Sequence, residues 1–212
     1  MQNYKVFINN GLIIFGEKDE FPPLDLCWSD FQFISSNKIS GLVDSINKNQ
    51  FKGYWLVQDS KPLDSLRLFS KEFISMQAAG GLVLNNKGDL LMIHRFGKWD
   101  FPKGHVEKDE INSQAAIREV MEETAVKSIT ILKMLPSTYH MYPSDNSWIL
   151  KITHWYLMRS NYEGPLKPQM DEQILAAIWV PIYTLPEYMS KTYPAISDLV
   201  DYIDRHQWFD AY

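Results

Sequence analysis

The sequence predicts a chain of the α/β or α+β class, and three observations carry that prediction. Short alternating or β-branched apolar runs, separated by turn residues, recur from Tyr4 to Val180 and read as strands. Between and after them lie segments with apolar residues at helical spacing, the clearest being Pro194 to Trp208, where Ile196, Leu199, Val200 and Ile203 share one side. A third segment, residues 103 to 126, has no Gly or Pro after Gly104 and sorts its apolar and acidic residues onto opposite helical faces.

Taken in order, Tyr4 to Ile8 and Leu12 to Phe15 form a strand pair around Asn9-Asn10-Gly11, because an Asn-Gly turn between apolar runs is a strong hairpin signal. Phe21-Pro22-Pro23-Leu24 breaks the pattern. Phe31 to Ile34 reads as a strand, Ser40 to Asn47 as a helix capped by Ser40, Phe51 to Val57 as extended, and Pro62 to Phe73 as a helix with Pro in its first turn. These residues, 1 to 73, are expected to form a small α/β appendage before a main domain at 74 to 212. No catalytic spacing occurs in them.

From Ser75 the texture changes. Ala78 to Leu84 and Leu90 to Ile93 flank the turn Asn85 to Gly88 and make a second hairpin, in which Gly80 and Gly81 allow close backbone approach. A loop from Gly97 to Val106 follows, then the long helical segment. Ile129 to Leu135 is a strand, Pro136 to Asn146 a loop, Trp148 to Met158 a long strand, Gly164 to Glu172 a polar loop, and Ala176 to Val180 a strand.

Composition narrows the function classes. The 212 residues are 45% hydrophobic and 22% charged, as in an ordinary globular protein, and the net charge of -5 with a pI near 5.5 disfavours a general nucleic-acid or membrane binder. A polyanionic ligand would therefore have to be drawn in by a local basic patch or by metal. The single Cys27 excludes an internal disulfide and a cysteine-rich zinc site. No leader or membrane-spanning run is apparent, so a cytoplasmic setting is expected.

The densest chemistry lies at Arg118-Glu119-Val120-Met121-Glu122-Glu123. At about 100° per residue, Glu119, Glu122 and Glu123 share one face while Ile117, Val120, Met121 and Thr124 gather opposite. Glu119 and Glu123 are four apart, where like charges repel by about 0.2 to 0.5 kcal/mol in an isolated helix. Two readings follow: a solvated acidic face, or a site for a hard divalent cation.

The wider spacing separates them. Gly104, five residues, Glu110, seven residues, Arg118-Glu119, aliphatic Val120, one residue, Glu122-Glu123, then Thr124, Ala125 and aliphatic Val126 resembles the signature of the Nudix hydrolases. The resemblance covers about a ninth of the chain directly and implies an α/β/α sandwich with a mixed β-sheet. It also implies hydrolysis of a phosphoanhydride with Mg2+ or Mn2+ as cofactor. Ala125 departs from it, since the family has Gly there. A Gly indicates a left-handed helix end, which costs another residue about 1 to 2 kcal/mol, and Ala fits if the turn is altered.

By the resemblance, Glu119, Glu122 and Glu123 are the metal set with the Gly104 carbonyl as an extra ligand, and Arg118 is an orienting residue paired with a carboxylate such as Glu110. Glu122 and Glu172 are the two candidates for general base. Arg95, Lys98, Lys103 and His105 form a basic cluster suited to phosphates, with Lys151 a further candidate. The loop Pro102-Lys103-Gly104-His105-Val106 resembles that of diadenosine polyphosphate and diphosphoinositol polyphosphate hydrolases. Trp99, Tyr139 and Tyr142 are either packing residues or stacking surfaces, and His154 reads as a packed histidine. The expected partner is a nucleotide-type phosphoanhydride, with a homodimer kept open. Nucleotide sugars, capped RNA ends, inositol pyrophosphates and a Nudix-like sensing module are the alternatives.

Overall fold

The computed structural model describes residues 3–18, 26–145 and 147–207. The break expected at Phe21 to Leu24 lies outside the described residues, as do Asn146 and Trp208. The chain divides into two compact units, residues 1–76 with 139–152, and residues 77–138 with 153–212.

In the first unit, strands β1 (Tyr4–Ile8) and β2 (Gly11–Gly16) form the expected antiparallel hairpin. Asn9 takes the left-handed turn conformation at φ 49°. Strands β3 (Phe31–Ser35) and β4 (Tyr54–Gln58) continue the sheet in parallel beside β2. Helix α1 (Ile39–Asn47) begins one residue earlier than Ser40, with Lys38 at its cap position and no side-chain cap, so Ser40 does not cap it. Helix α2 (Pro62–Ser70) starts at its Pro as expected. Their apolar faces, Ile39, Leu42, Val43 and Ile46 with Leu66 and Phe69, pack with Val6, Ile8, Ile13 and Phe15 from alternate positions of β1 and β2.

The segment read as a loop from Pro136 to Asn146 is instead largely a strand. With the second unit's β5 (Ile74–Leu84), β6 (Leu90–Arg95), β7 (Lys98–Asp100), β8 (Lys103–His105) and β9 (Ile129–Met134) placed in chain order, it becomes β10 (Thr138–Ser144). It pairs in parallel with β1, Val6 opposite Tyr139 and Ile8 opposite Met141, and buries Met141 in the first unit's core. A polar, aromatic stretch with Pro143 gives no clear alternation, and its pairing partner lies over 130 residues away; neither is visible locally.

In the second unit the sheet order is β12–β6–β5–β11, where β11 is Ser147–Ser160, its residues 153–160 belonging to this unit, and β12 is Ile174–Val180. Strand β7 pairs with β6, β8 with β5 and β9 with β11. Side chains alternate across this sheet as strand geometry demands. Leu82, Leu84, Leu90, Met92, Trp155 and Leu157 face one core with Ile196, Leu199, Val200 and Ile203 of helix α5 (Pro194–Arg205) and Leu185 of the short α4 (Leu185–Met189). Val83, Leu91, Tyr156 and Met158 face the other, against Ala115, Ala116 and Val120 of α3 (Asn112–Thr124). A mixed sheet lies between helices on both faces, so the second unit is an α/β/α sandwich.

Helix α3 ends on Ala125 at φ 62°, whose N–H donates to the Met121 carbonyl at 2.9 Å. The left-handed end is therefore kept unaltered, and the methyl group bears the strain that an altered turn would have avoided. Ala125→Gly should stabilise the protein by about 1 kcal/mol, the strain relieved less the extra entropy Gly gains on unfolding. An unchanged or lower urea midpoint would show that Ala125 is not strained.

Candidate functional site

Helix α3 does not bury the face that apolar patterning picks out. Met121 is exposed, while the buried arc runs from Ala115 and Ala116 through Val120 and Thr124 and takes in Glu119 and Glu123. Glu123 is fully buried and Glu119 nearly so, whereas Glu122 is half exposed. The solvated-face reading is thus overturned for two of the three carboxylates.

The neighbouring strand explains how the helix carries this burial. Strand β8 pairs with β5, Ala79 opposite Gly104, and a Cβ on Gly104 would fall inside the Glu119 carboxylate. Only glycine leaves Glu119 room against the backbone. One residue earlier, the Lys103 N–H donates to Glu123 Oε2 at 2.8 Å. The Lys103 ammonium pairs with the buried Asp100 at 2.6 Å and is itself largely buried, so it is engaged within the protein.

Arg118 is the hub. It donates to both oxygens of Glu110, from Nε at 2.9 Å and from Nη2 at 2.8 Å, a bidentate pair. Its Nη1 also donates to Glu119 at 2.7 Å and to Glu122 at 3.0 Å, and its Nη2 to the His105 carbonyl at 2.8 Å. His105 thus enters through its backbone; its side chain is exposed. Hydrogen bonds from Arg118 hold the Glu110 carboxyl below the usual range.

A second arginine reaches the site from the end of β6. Arg95 Nη2 lies 3.2 Å from Glu172 and its Nη1 3.8 Å from Glu123. Glu172 is carried by a short turn, Met170–Glu172, just before β12. That segment is tied to the end of α3, with Lys167 N–H on the Thr124 carbonyl and Gln169 N–H on the Glu123 carbonyl. Arg118, Glu119, Glu122, Glu123, Gly104, Lys103, His105, Arg95 and Glu172 are thereby linked.

Lys151 lies in the first unit, where burial, with the charge of Lys151 added, depresses the His140 imidazole. Tyr142, also there, donates its hydroxyl to Met76 Sδ. Trp99 packs edge-on to Tyr188 at 5.0 Å and against His94 at 4.9 Å, a packing residue. His154 lies between Ser137 and Gln77, and burial lowers its pKa. Asp100 and Gln169 were not singled out from sequence. Asp100 has only its place in Trp99-Asp100-Phe101 to mark it, and Gln169 acts through a tertiary contact.

Electrostatics follow burial. Burial pushes the Glu123 carboxyl up to about 7, against the pull of Lys103, and also raises Glu119, against the pull of Arg118. For Lys103 burial alone would lower the pKa, but the charges of Asp100 and Glu123 outweigh it and raise it. Among the described residues, the buried side-chain polar atoms without a hydrogen-bond partner are Arg95 Nε, Glu123 Oε1 and Gln169 Oε1. Among the same residues no three His, Cys, Asp or Glu side chains are gathered as ready metal ligands, and Arg118 engages an oxygen of both Glu119 and Glu122. The donor set is nonetheless all carboxylate oxygen, which suits a hard dication, and Glu123 Oε1 is a buried acceptor without a hydrogen bond, the Arg95 guanidinium standing off at 3.8 Å.

Comparison with known proteins agrees with the sandwich. The model of the NUDIX domain matches residues 75–199, and a MutT protein of Methanosarcina mazei superimposes with a TM-score of 0.51 at 20% identity, covering 64% of this chain and 97% of that one. The class is that of the Nudix fold. The chain belongs to the Nudix hydrolase family. Among its relatives, the MutT4 protein of Mycobacterium tuberculosis is 36% identical over 92 residues, 43% of this chain and 36% of that one. An RNA pyrophosphohydrolase of Pasteurella multocida is 26% identical over 133 residues, 54% of this chain and 67% of that one. The matched region therefore spans about a third to two thirds of these relatives.

A carboxyl whose pKa is raised from 4.5 to about 7 on folding contributes stability below pH 4.5 that is lost as the pH rises through 7. Glu123→Gln should therefore be more stable than wild type at pH 8 in chelator, by about 1 to 3 kcal/mol, with the difference vanishing near pH 4. Chemical denaturation at the two pH values checks this; a variant less stable at pH 8 contradicts it.

Proposed function

We propose that the chain is a divalent-metal-dependent pyrophosphohydrolase that splits a phosphoanhydride in a nucleoside diphosphate-linked or dinucleoside polyphosphate substrate. One observation carries this reading. The polar atoms beside α3 that lack a hydrogen bond are of opposite kinds: Glu123 Oε1, which has only the Arg95 guanidinium at 3.8 Å, and Gln169 Oε1 are acceptors with room for a cation, and Arg95 Nε is a donor with room for an anion. A dication bearing a phosphate chain satisfies both.

Glu119, Glu122 and Glu123 would hold Mg2+ or Mn2+, with the Gly104 carbonyl as a further oxygen. When bound, the ion supplies charge neutralisation for the phosphate oxygens and lowers the pKa of water. Arg118 fixes Glu119 and Glu122 relative to Glu110. Lys103 holds Glu123 through its N–H and lends its charge from behind, while Arg95 and exposed His105 face the phosphates. Glu172 or Glu122 accepts the proton of the attacking water at a carboxylate oxygen as the new P–O bond forms and the bridging P–O bond breaks. Glu172 gains weight from its pairing with Arg95, which ties it to Glu123.

The relatives named RNA pyrophosphohydrolase support a second reading, a triphosphorylated RNA 5′ end as substrate. The chain's net charge of -5 weighs against it. A Nudix-like sensor would not need three carboxylates on one helix, two of them at the cost of burial.

Incubation with magnesium and a panel of dinucleoside polyphosphates, nucleotide sugars and 5′-triphosphorylated RNA should show release from the first group. Saturable binding without release from any of them would sink the enzyme reading in favour of the sensor. Glu123→Gln should lower turnover by about a hundred- to a thousandfold, on the scale of losing an electrostatic group acting in the transition state. Of Glu122→Gln and Glu172→Gln at saturating magnesium, the base is the one whose loss removes the acidic limb, the rise of turnover with pH; normal turnover in the Glu172 variant eliminates that residue.

A further inference from the structure

Next to the carboxylate site, the hairpin between β6 and β7 turns through two residues, Phe96 and Gly97, both at positive φ, 51° and 74°. Such a turn favours Asn-Gly or Gly-Gly, because a left-handed backbone crowds any larger L side chain. Gly97 meets that demand and Phe96 breaks it. The ring finds no burial in return: Phe96 is 60% exposed, among the more exposed large apolar side chains described.

The ring is nevertheless held. The Arg95 guanidinium carbon lies 4.9 Å from its centroid, a cation–π contact. Arg95 is itself anchored by Glu172 and Glu123, so one ring face is backed by a fixed cation and the ring stays largely open to solvent. An exposed aromatic plane, stiffened from behind and joined through one residue to the buried Glu123, is the geometry of a stacking surface.

We propose that Phe96 is the stacking platform for the nucleobase of the substrate, and so the residue that favours ligands carrying a base over those without one. Base–aromatic stacking tolerates any base, since each presents a π face. The proposal rests on the nucleotide reading given above. It places the base at the β6–β7 tip and leaves Trp99, Tyr139 and Tyr142 outside that role.

The test is a calorimetric titration, in magnesium, of wild type, Phe96→Asn and Phe96→Trp with AMP and with ribose 5-phosphate, which shares the phosphate and lacks the base. Asn suits the left-handed turn, so thermal melting of the variant serves as its folding control. Phe96→Asn should weaken AMP binding by about tenfold, the scale of one base–aromatic stack, and leave ribose 5-phosphate binding unchanged, while Phe96→Trp keeps the wild-type preference for AMP. Equal affinities of wild type and Phe96→Asn for AMP, equal losses for both ligands, or no AMP binding by wild type overturn it. Turnover is not needed for any of these readings, so a failure of the hydrolase assignment and a failure of the stacking assignment are told apart.

Discussion

Two carboxylates of one helix, Glu119 and Glu123, are withdrawn from water within a turn of each other, and much of the second unit is arranged to tolerate that. Burying a carboxylate costs several kcal/mol unless hydrogen bonds and opposite charge compensate it. Compensation comes from the flanking strand and from two arginines. Lys103 gives a backbone N–H, Gly104 gives space, and Arg118 spreads one guanidinium over Glu110, Glu119 and Glu122. The small Ala115 and Ala116 serve the same end, since they let α3 lie close enough to the sheet for Glu119 to reach the backbone of β8. Compensation is incomplete at Glu123, as its raised pKa records.

The C-terminal end of α3 has a double use. Its last carbonyls lack intrahelical partners, as at any helix end. Here Thr124 and Glu123 accept from Lys167 and Gln169, which pins the segment that carries Glu172. Capping the helix and positioning an acid beside Arg95 are thus one set of hydrogen bonds. The left-handed Ala125 belongs to the same construction, because it turns the chain sharply away from the helix and leaves those carbonyls accessible.

The hairpins, the sandwich strands and the helix that carries the charged residues were legible in the sequence, because period-two alternation and Asn-Gly or Gly-containing turns act locally. The pairing of Arg118 with Glu110 was implied by the resemblance. What escaped was tertiary. Strand β10 is held by β1, more than 130 residues earlier, and its own residues do not alternate; with it, 139–152 joined the first unit. The buried arc of α3 escaped because hydrophobicity placed the carboxylates outside, whereas small alanines, and not the more apolar Met121, decide which side meets the sheet. The pairing of Lys103 with Asp100 was hidden for a similar reason: a basic cluster in sequence says nothing about which ammonium already has a partner.

Local rules are broken at several places in the second unit, and they converge. Glu119 and Glu123 are buried acids, Ala125 and Phe96 are L residues at positive φ, and Arg95 Nε and Gln169 Oε1 are buried without partners. Each departure lowers stability, by about 1 to 3 kcal/mol where such costs have been measured in proteins generally. A chain selected for stability alone would have Gly at 125, Asn at 96 and a neutral side chain at 123. Such concentrated strain persists only where a surrounding frame over-determines it, and the alternating core of β5, β6 and β11 supplies that frame on both faces of the sheet. Stability is spread through the sandwich, whereas buried acids, unsatisfied buried polar atoms and strained turns gather around one helix.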